Sequence, residues 1–299
     1  MQCAIDDDVS ALAAFVSAHP NLFVLTGAGV STGSGIPAYR SSDGEWQHRT
    51  PVTHQEFIAS HAMRQRYWSR SVLGYPLMRD ARPNPAHAAL ARLEAAGHVT
   101  QLVTQNVDGL HQRAGSGNVI ELHGSVHRVV CMGCTAVETR AALQRRMQAA
   151  NPSFAACAAT ASAVMAPDGD ANIEAAVDTG VEADFAADHP PWFDVPVCQA
   201  CGGILKPDVV FFGAGVPRAR LDAALDAQAR ADAVLIVGSS LMVYSGYRFC
   251  VRAQERGIPI AAINAGRTRA DALLQLKVEG DCAHALTALA DLLLAHAAA

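Results

Sequence analysis

Five short apolar runs, each breaking on a glycine or a polar turn, set the strongest limit on how this chain can fold. They are NLFVLTGAG (21–29), HVTQLVTQNVDG (98–109), NVIELHG (118–124), ADAVLIVGSS (231–240) and IPIAAINAG (258–266). Alanine-rich stretches with helical character flank them, such as NPAHAALARLEAAG (84–97) and RARLDAALDAQARA (218–231). Strands that are apolar throughout and alternate with helices form a parallel sheet covered on both faces. The pattern predicts an α/β fold built on a doubly wound, Rossmann-like parallel sheet. With 299 residues, 51% of them hydrophobic and 17% charged, the chain can bury a core of that size.

Two regions break the alternation. Residues 1–40, 84–124 and 208–299 are assigned to the large domain, and two insertions to a smaller module. The first insertion, 41–83, reads as helical and strandless. The second, 125–207, begins and ends with CxxC pairs and carries an alanine-rich stretch over about 150–195. That stretch has few large apolar residues and several Asp, Gly and Pro, so it reads as a surface insertion.

The formal net charge of −5 leaves no global basic surface to neutralise a phosphate backbone, which argues against nucleic acid as a partner. Asp6, Asp7 and Asp8 stand where a targeting leader would carry basic residues. No run reaches the roughly 18 apolar residues of a membrane span. A cytoplasmic, reducing location is expected, where clustered cysteines are more often metal ligands than disulfides. The sequence carries no signal for an oligomeric state.

The chemistry gathers where the apolar runs end. Gly27 and Gly29 permit a tight turn and close approach of a phosphate, while Thr26 and Ser31 add hydroxyl donors. The third glycine of a dinucleotide fingerprint would fall at Thr32, and no acidic residue caps a second strand about 20 residues on, so an ordinary dehydrogenase is disfavoured. Pro37 prevents the loop from running on as a helix, and Arg40 brings a guanidinium fork suited to a diphosphate. A structural glycine turn is the alternative.

In TQNVDGLH, Thr104, Gln105, Asn106 and Asp108 place amide and carboxylate groups at a strand's carboxyl end, suited to ribose hydroxyls and a carboxamide. A simple polar turn is the alternative here. His123 ends a third run at the same edge and titrates in a range useful to a general base. Gly238, Ser239 and Ser240, and then Asn264, Ala265 and Gly266, follow two further runs and fit a second half-site for adenosine.

Four of the eight cysteines form two CxxC pairs, Cys131/Cys134 and Cys198/Cys201. Two such knuckles complete a tetrahedral Zn²⁺ site, with no position open for catalytic water. Their separation exceeds the roughly 15–20 residues of a compact zinc site, an excess that the insertion accounts for. A redox CxxC is the other reading.

Together GAGVSTGSGIPAYR (27–40), TQNVDGLH (104–111), the His-Gly step and the two CxxC pairs resemble the sirtuins, the NAD-dependent protein lysine deacylases, over roughly Leu22 to Cys282. The resemblance implies that Ala28 and Ile36 join Gly27, Gly29, Ser31, Pro37 and Arg40 in holding NAD. It assigns Gln105 and Asn106 to the nicotinamide ribose, Asp108 to the carboxamide, and the backbone of Cys282 to the adenine. It makes His123 the general base, with Asn106 beside it. Val209, Phe211 and the neighbouring backbone would line the peptide and acyl-lysine channel. In the implied chemistry the acyl-lysine carbonyl oxygen displaces nicotinamide from the ribose, and water then releases O-acyl-ADP-ribose and free lysine.

GSSLMVYSGYRF (238–249) and RYWSR (66–70) are most similar to the class holding a mitochondrial lipoamidase and ADP-ribosyltransferase. Tyr67 and Arg70, three apart, share a helical face and resemble the pair by which some sirtuins accept succinyl or glutaryl lysine. Ala38 departs from the acidic residue common in the family's loop. ADP-ribosyl transfer to protein is the alternative chemistry, and a zinc-ribbon binding module the alternative without catalysis. Nicotinamide release from NAD favours the enzyme, and salt-dependent DNA binding the module.

Overall fold

The computed structural model describes residues 2–41, 43, 45–47, 51–154, 163–168, 171–173 and 192–295. These fall into two compact units, Met1–His48 with Ala81–His123 and Val216–Ala299, and Arg49–Asp80 with Gly124–Gly215. No helix among the described residues is long and apolar enough to cross a membrane.

The first unit is built on a parallel sheet. Its strands are β1 (Leu22–Thr26), β2 (Val99–Thr104), β3 (Val119–Glu121), β9 (Ala233–Val237), β10 (Ile260–Ile263) and β11 (Leu276–Val278), and the order is β11-β10-β9-β1-β2-β3. Every residue of β1, β9 and β10 is buried, as a sheet covered on both faces requires. Alternation then divides the side chains. Leu22, Val24, Leu235 and Ile263 pack with helices α1 (Gln2–Ala18), α4 (Pro85–Ala95) and α9 (Cys282–Ala295) through Leu12, Leu90 and Leu289. Phe23, Leu25, Val234 and Ile236 pack on the other face with α7 (Arg218–Ala229) and α8 (Tyr244–Glu255) through Ala224 and Phe249. Each such side chain contributes roughly 1.5–3 kcal/mol when fully buried, so the two clusters supply most of the drive to fold this unit. Helix α4 starts where the sequence places a start, with the Asn84 side chain accepting from the Ala86 N–H and Pro85 in the first turn.

Strand order reverses at β1. The chain runs β1, β2, β3 to one side and β9, β10, β11 to the other, so the carboxyl ends of β1 and β9 flank the switch point where α/β sheets hold ligands. The backbone closes tightly there. Gly27 N–H donates to the Val237 carbonyl at 3.0 Å, and Gly29 N–H to the Gly238 carbonyl at 2.8 Å. A Cβ on Gly29 would lie 2.9 Å from the Gly238 Cα, and one on Gly238 would lie 2.5 Å from the Val30 nitrogen. Gly238 also has φ +58°, in the left-handed region.

In the second unit β4 (Gly124–Cys131) lies between β5 (Val137–Thr139) and β8 (Leu205–Val209) in an antiparallel sheet, which leaves β8 at an edge. Helices α2 (His54–Ala59), α3 (His61–Asp80) and α6 (Arg140–Ala150) belong to the same unit, as does a hairpin of β6 (Ala163–Met165) and β7 (Ala171–Ile173). An aromatic cluster forms its core, with Phe57 edge-on to Tyr67, Trp68 and Phe211. The remainder of the alanine-rich stretch, 155–162, 169–170 and 174–191, lies outside the described residues.

Replacing Gly238 by Ala adds both backbone strain and a clash against backbone that cannot swing away. Gly238→Ala is expected to lower stability by about 2–4 kcal/mol, read as a drop in the midpoint of chemical or thermal unfolding.

Candidate active site

The residues that follow β1 and β2 are tied to one another by side-chain hydrogen bonds. Ser31 is 1% exposed; its hydroxyl donates to Asp108 Oδ2 at 2.7 Å and accepts from Asn106 Nδ2 at 3.0 Å. The same amide donates to the Gly27 carbonyl at 3.0 Å, and Asp108 Oδ1 accepts from the Leu110 N–H at 2.9 Å. The glycine loop and the TQNVDGLH turn are therefore one hydrogen-bonded structure.

Behind it lies a polar layer that the sequence did not reveal. Thr26, fully buried, bonds through its hydroxyl to Thr104 Oγ1 at 2.8 Å and His111 Nε2 at 2.9 Å. His87 Nδ1 accepts from the Asn84 N–H, which leaves the proton on Nε2, 3.5 Å from Ser31 Oγ. Burial pushes His87 down to about 4 and His111 to about 3, so both are neutral near pH 7. The expectation that Thr26 turns its hydroxyl to a ligand is overturned, because its strand position aims the group into the protein. Thr104, 3% exposed, likewise accepts on its hydroxyl oxygen from the Asn106 N–H at 3.1 Å and from the Thr26 hydroxyl. The Ser31 hydroxyl, too, is committed to Asp108.

Gln105 links the two halves of the crevice, its amide donating to the Thr26 carbonyl at 3.1 Å and to Ser239 Oγ at 2.9 Å. The Gln105 backbone carbonyl lies 3.0 Å from His123 Nδ1. A carbonyl only accepts, so Nδ1 carries the proton and Nε2 keeps the lone pair. Burial pushes His123 down to about 4; the Gln105 bond opposes this and the charge of Arg220 adds to it. The ring is thus a neutral base near pH 7. A residue the sequence did not single out, Ser245, sits 2.8 Å from Nε2 through its hydroxyl.

The remaining expected NAD residues belong to this unit. Gly238, Ser239 and Ser240 follow β9, while Asn264, Ala265 and Gly266 follow β10, where the Asn264 amide donates to the Gly266 carbonyl at 2.8 Å. Ala28 lies in the glycine loop, Ile36 is buried, Pro37 is half-buried, and the Arg40 guanidinium stands 5.0 Å from the Trp46 ring centre. Cys282 opens α9 with its thiol buried and pushed up to about 12, an unreactive group that leaves only its backbone to serve a ligand. The polar turns after β1, β2, β9 and β10 gather at the carboxyl ends of adjacent parallel strands, the place where α/β sheets hold dinucleotides.

In the second unit the four CxxC cysteines converge. Cys131 and Cys201 Sγ are 3.5 Å apart, Cys134 and Cys198 Sγ 3.7 Å, and all four sulfurs lie within 4.8 Å of one another. Thiolates on a tetrahedral zinc at about 2.3 Å stand about 3.8 Å apart, so the set fits one structural zinc ion. The Gly133 N–H donates to Cys131 Sγ at 3.3 Å. Val209 ends the edge strand β8. Tyr67 packs 5.0 Å from Phe211, ring to ring, and lines a narrow cavity with Ser71, Tyr75, Pro207 and the buried Arg140. Arg70 is half-buried on α3 and does not line that cavity.

The Sir2 family model matches residues 27–245. This chain belongs to the Sir2 family. It is 54% identical over 275 residues to NAD-dependent protein deacetylase 2 of Bradyrhizobium diazoefficiens, covering 92% of this chain and 95% of that protein. To the mitochondrial NAD-dependent protein lipoamidase sirtuin-4 of Bos taurus it is 44% identical, over 94% of this chain and 85% of the relative. Its fold is similar to a solved Sir2 with a p53 peptide and NAD+, with a TM-score of 0.70, 27% identity, and coverage of 96% of this chain and 98% of that one.

The cysteine geometry predicts one zinc per chain by metal analysis. Cys198→Ser or Cys201→Ser is expected to release the ion and unfold the second unit, because the binding energy of a structural zinc is folding energy; full zinc content in either variant would contradict the assignment.

Proposed function

We propose that this chain removes acyl groups from protein lysines, consuming NAD and releasing nicotinamide and O-acyl-ADP-ribose. The observation that carries the proposal is the His123 ring. Its proton is fixed on Nδ1 by the Gln105 backbone carbonyl, which leaves Nε2 as the basic nitrogen, 2.8 Å from the Ser245 hydroxyl, while the residue that fixes it, Gln105, adjoins Asn106, whose amide bonds the glycine loop. The names of its relatives, protein deacetylase and protein lipoamidase, support the same reading.

In this reading Gln105 and Asn106 position the nicotinamide ribose, and Asp108, held by Ser31, fixes the carboxamide. The Gly238–Ser240 and Asn264–Gly266 turns take the adenosine half, with Arg40 on the diphosphate. Expulsion of nicotinamide by the acyl carbonyl oxygen needs no protein base. His123 acts next, accepting a ribose hydroxyl proton on Nε2 as that oxygen attacks the carbon of the former acyl group. The zinc ion holds the second unit together and takes no part in the reaction. Substrates are acyl-lysine proteins or peptides, entering as a strand beside β8 near Val209 and Phe211. The proposal includes a cytoplasmic location and partners that are neither nucleic acid nor membrane, consistent with the cysteines among the described residues being unpaired by disulfides and with an acidic net charge.

His123→Ala is expected to reduce acetyl-peptide turnover by at least a hundredfold while circular dichroism shows the fold intact; near-normal turnover by the folded variant would refute the role. Mass spectrometry of products from labelled NAD separates acyl transfer from ADP-ribosyl transfer to protein.

Acyl choice rests on Tyr67 and Arg70. A charged hydrogen bond to an acyl carboxylate is worth roughly 1.5–3 kcal/mol, so Arg70→Met is expected to lower kcat/KM for a succinyl or glutaryl peptide by about tenfold or more. Acetyl peptide should change little, and an equal loss on both substrates would make Arg70 a residue of the fold.

A further inference from the structure

The basic nitrogen of His123 already has a partner. The Ser245 hydroxyl lies 2.8 Å from Nε2, and since Nδ1 must carry the proton to bond the Gln105 carbonyl, the serine is the donor. Ser245 is the second residue of α8 (Tyr244–Glu255). The helix can bring it there because the next residue is Gly246, where any Cβ would run into Gln105 Oε1. The start of α8 is therefore packed on the same Gln105 whose carbonyl holds the other side of the ring. One residue grips Nδ1, a second grips Nε2, and a glycine between helix and amide permits the approach.

We propose that Ser245 is a positioning residue for His123: its hydroxyl occupies the Nε2 lone pair in the free enzyme, orients the ring, and gives way to the ribose hydroxyl when NAD binds. The proposal rests on His123 as the base. An imidazole nitrogen has one in-plane lone pair, so it takes one strong hydrogen bond at a time, and serine and ribose cannot both donate to it. A donor on Nε2 also favours the neutral ring, because a protonated Nε2 could not accept it. Ser245 thus holds the base ready in the resting enzyme, alongside burial. Arg220, from α7, is the charge that acts on the ring, in the same direction.

The sign of the test follows. Losing the hydroxyl removes an interaction specific to the neutral imidazole, so the His123 pKa rises, while burial still keeps it below the ordinary histidine value of about 6.5. In Ser245→Ala, the His123 ring resonance followed by NMR in the absence of NAD is expected to titrate roughly half to one unit higher than in the wild type. Ser245→Thr, which keeps a hydroxyl, should titrate as the wild type does.

Kinetics then report the displacement. The acid limb of kcat/KM belongs to the free enzyme and that of kcat to the complex. Ser245→Ala should move the first upward and leave the second in place. An unchanged ring titration, or a threonine variant that behaves like alanine, would overturn the proposal. So would a kcat limb that moves as far as the kcat/KM limb, since Ser245 would then stay on Nε2 throughout turnover. The NMR readout needs no turnover, so loss of the general-base reading through His123→Ala leaves the Ser245 hydrogen bond to be judged separately.

Discussion

The close contact of two glycine turns, Gly27 to Gly29 against Gly238, is the constraint on which the first unit's site depends. Two backbone hydrogen bonds of 3.0 and 2.8 Å join the ends of β1 and β9 there, and side chains larger than hydrogen would force them apart. Because strand order reverses at this place, the sheet has no crossover helix to fill the gap. The chain must instead satisfy its polar groups locally. It does so with Asn106, Gln105 and Ser31, whose side chains bond the loop and turn on either side.

Much of this was legible from the sequence because it depends on local periodicity. The runs ending at Thr26, Thr104, Glu121, Val237 and Ile263 are strands. Their unbroken apolar character predicted a sheet buried on both faces, as the two clusters of alternating side chains bear out. The glycines at 27, 29 and 238 were legible for the same reason, since a glycine after an apolar run marks a turn.

What was not legible is where a hydroxyl points. Thr26 ends β1 and Ser31 stands in the glycine loop that follows, where hydroxyls suit phosphate, yet both side chains bond buried histidine and aspartate partners from segments 77 to 85 residues away. His87 and His111 give no sign in sequence that they meet ring to ring at 4.8 Å, because each belongs to a different helix. Ser245 is similar: 122 residues separate it from His123, and only the fold brings the pair together. In the second unit the CxxC spacing showed which thiols pair locally, and the convergence of both pairs needed the antiparallel register of Cys131 with Leu205.

These internal bonds divide the work of catalysis from that of binding. A histidine whose proton is fixed on Nδ1, and whose burial keeps it unprotonated down to about pH 4, is ready as a base without help from substrate. That readiness comes with a half-buried ring whose lone pair is best satisfied by a donor at all times. The Ser245 hydroxyl meets that need in the absence of ligand, and a ribose hydroxyl would meet it with NAD in place. Desolvation alone would leave the lone pair unsatisfied, and a bond to a permanent partner would leave it unavailable. A neutral donor on the first turn of a helix, brought close because Gly246 has no side chain, is strong enough to orient the ring and weak enough to be exchanged for another hydroxyl at little net cost.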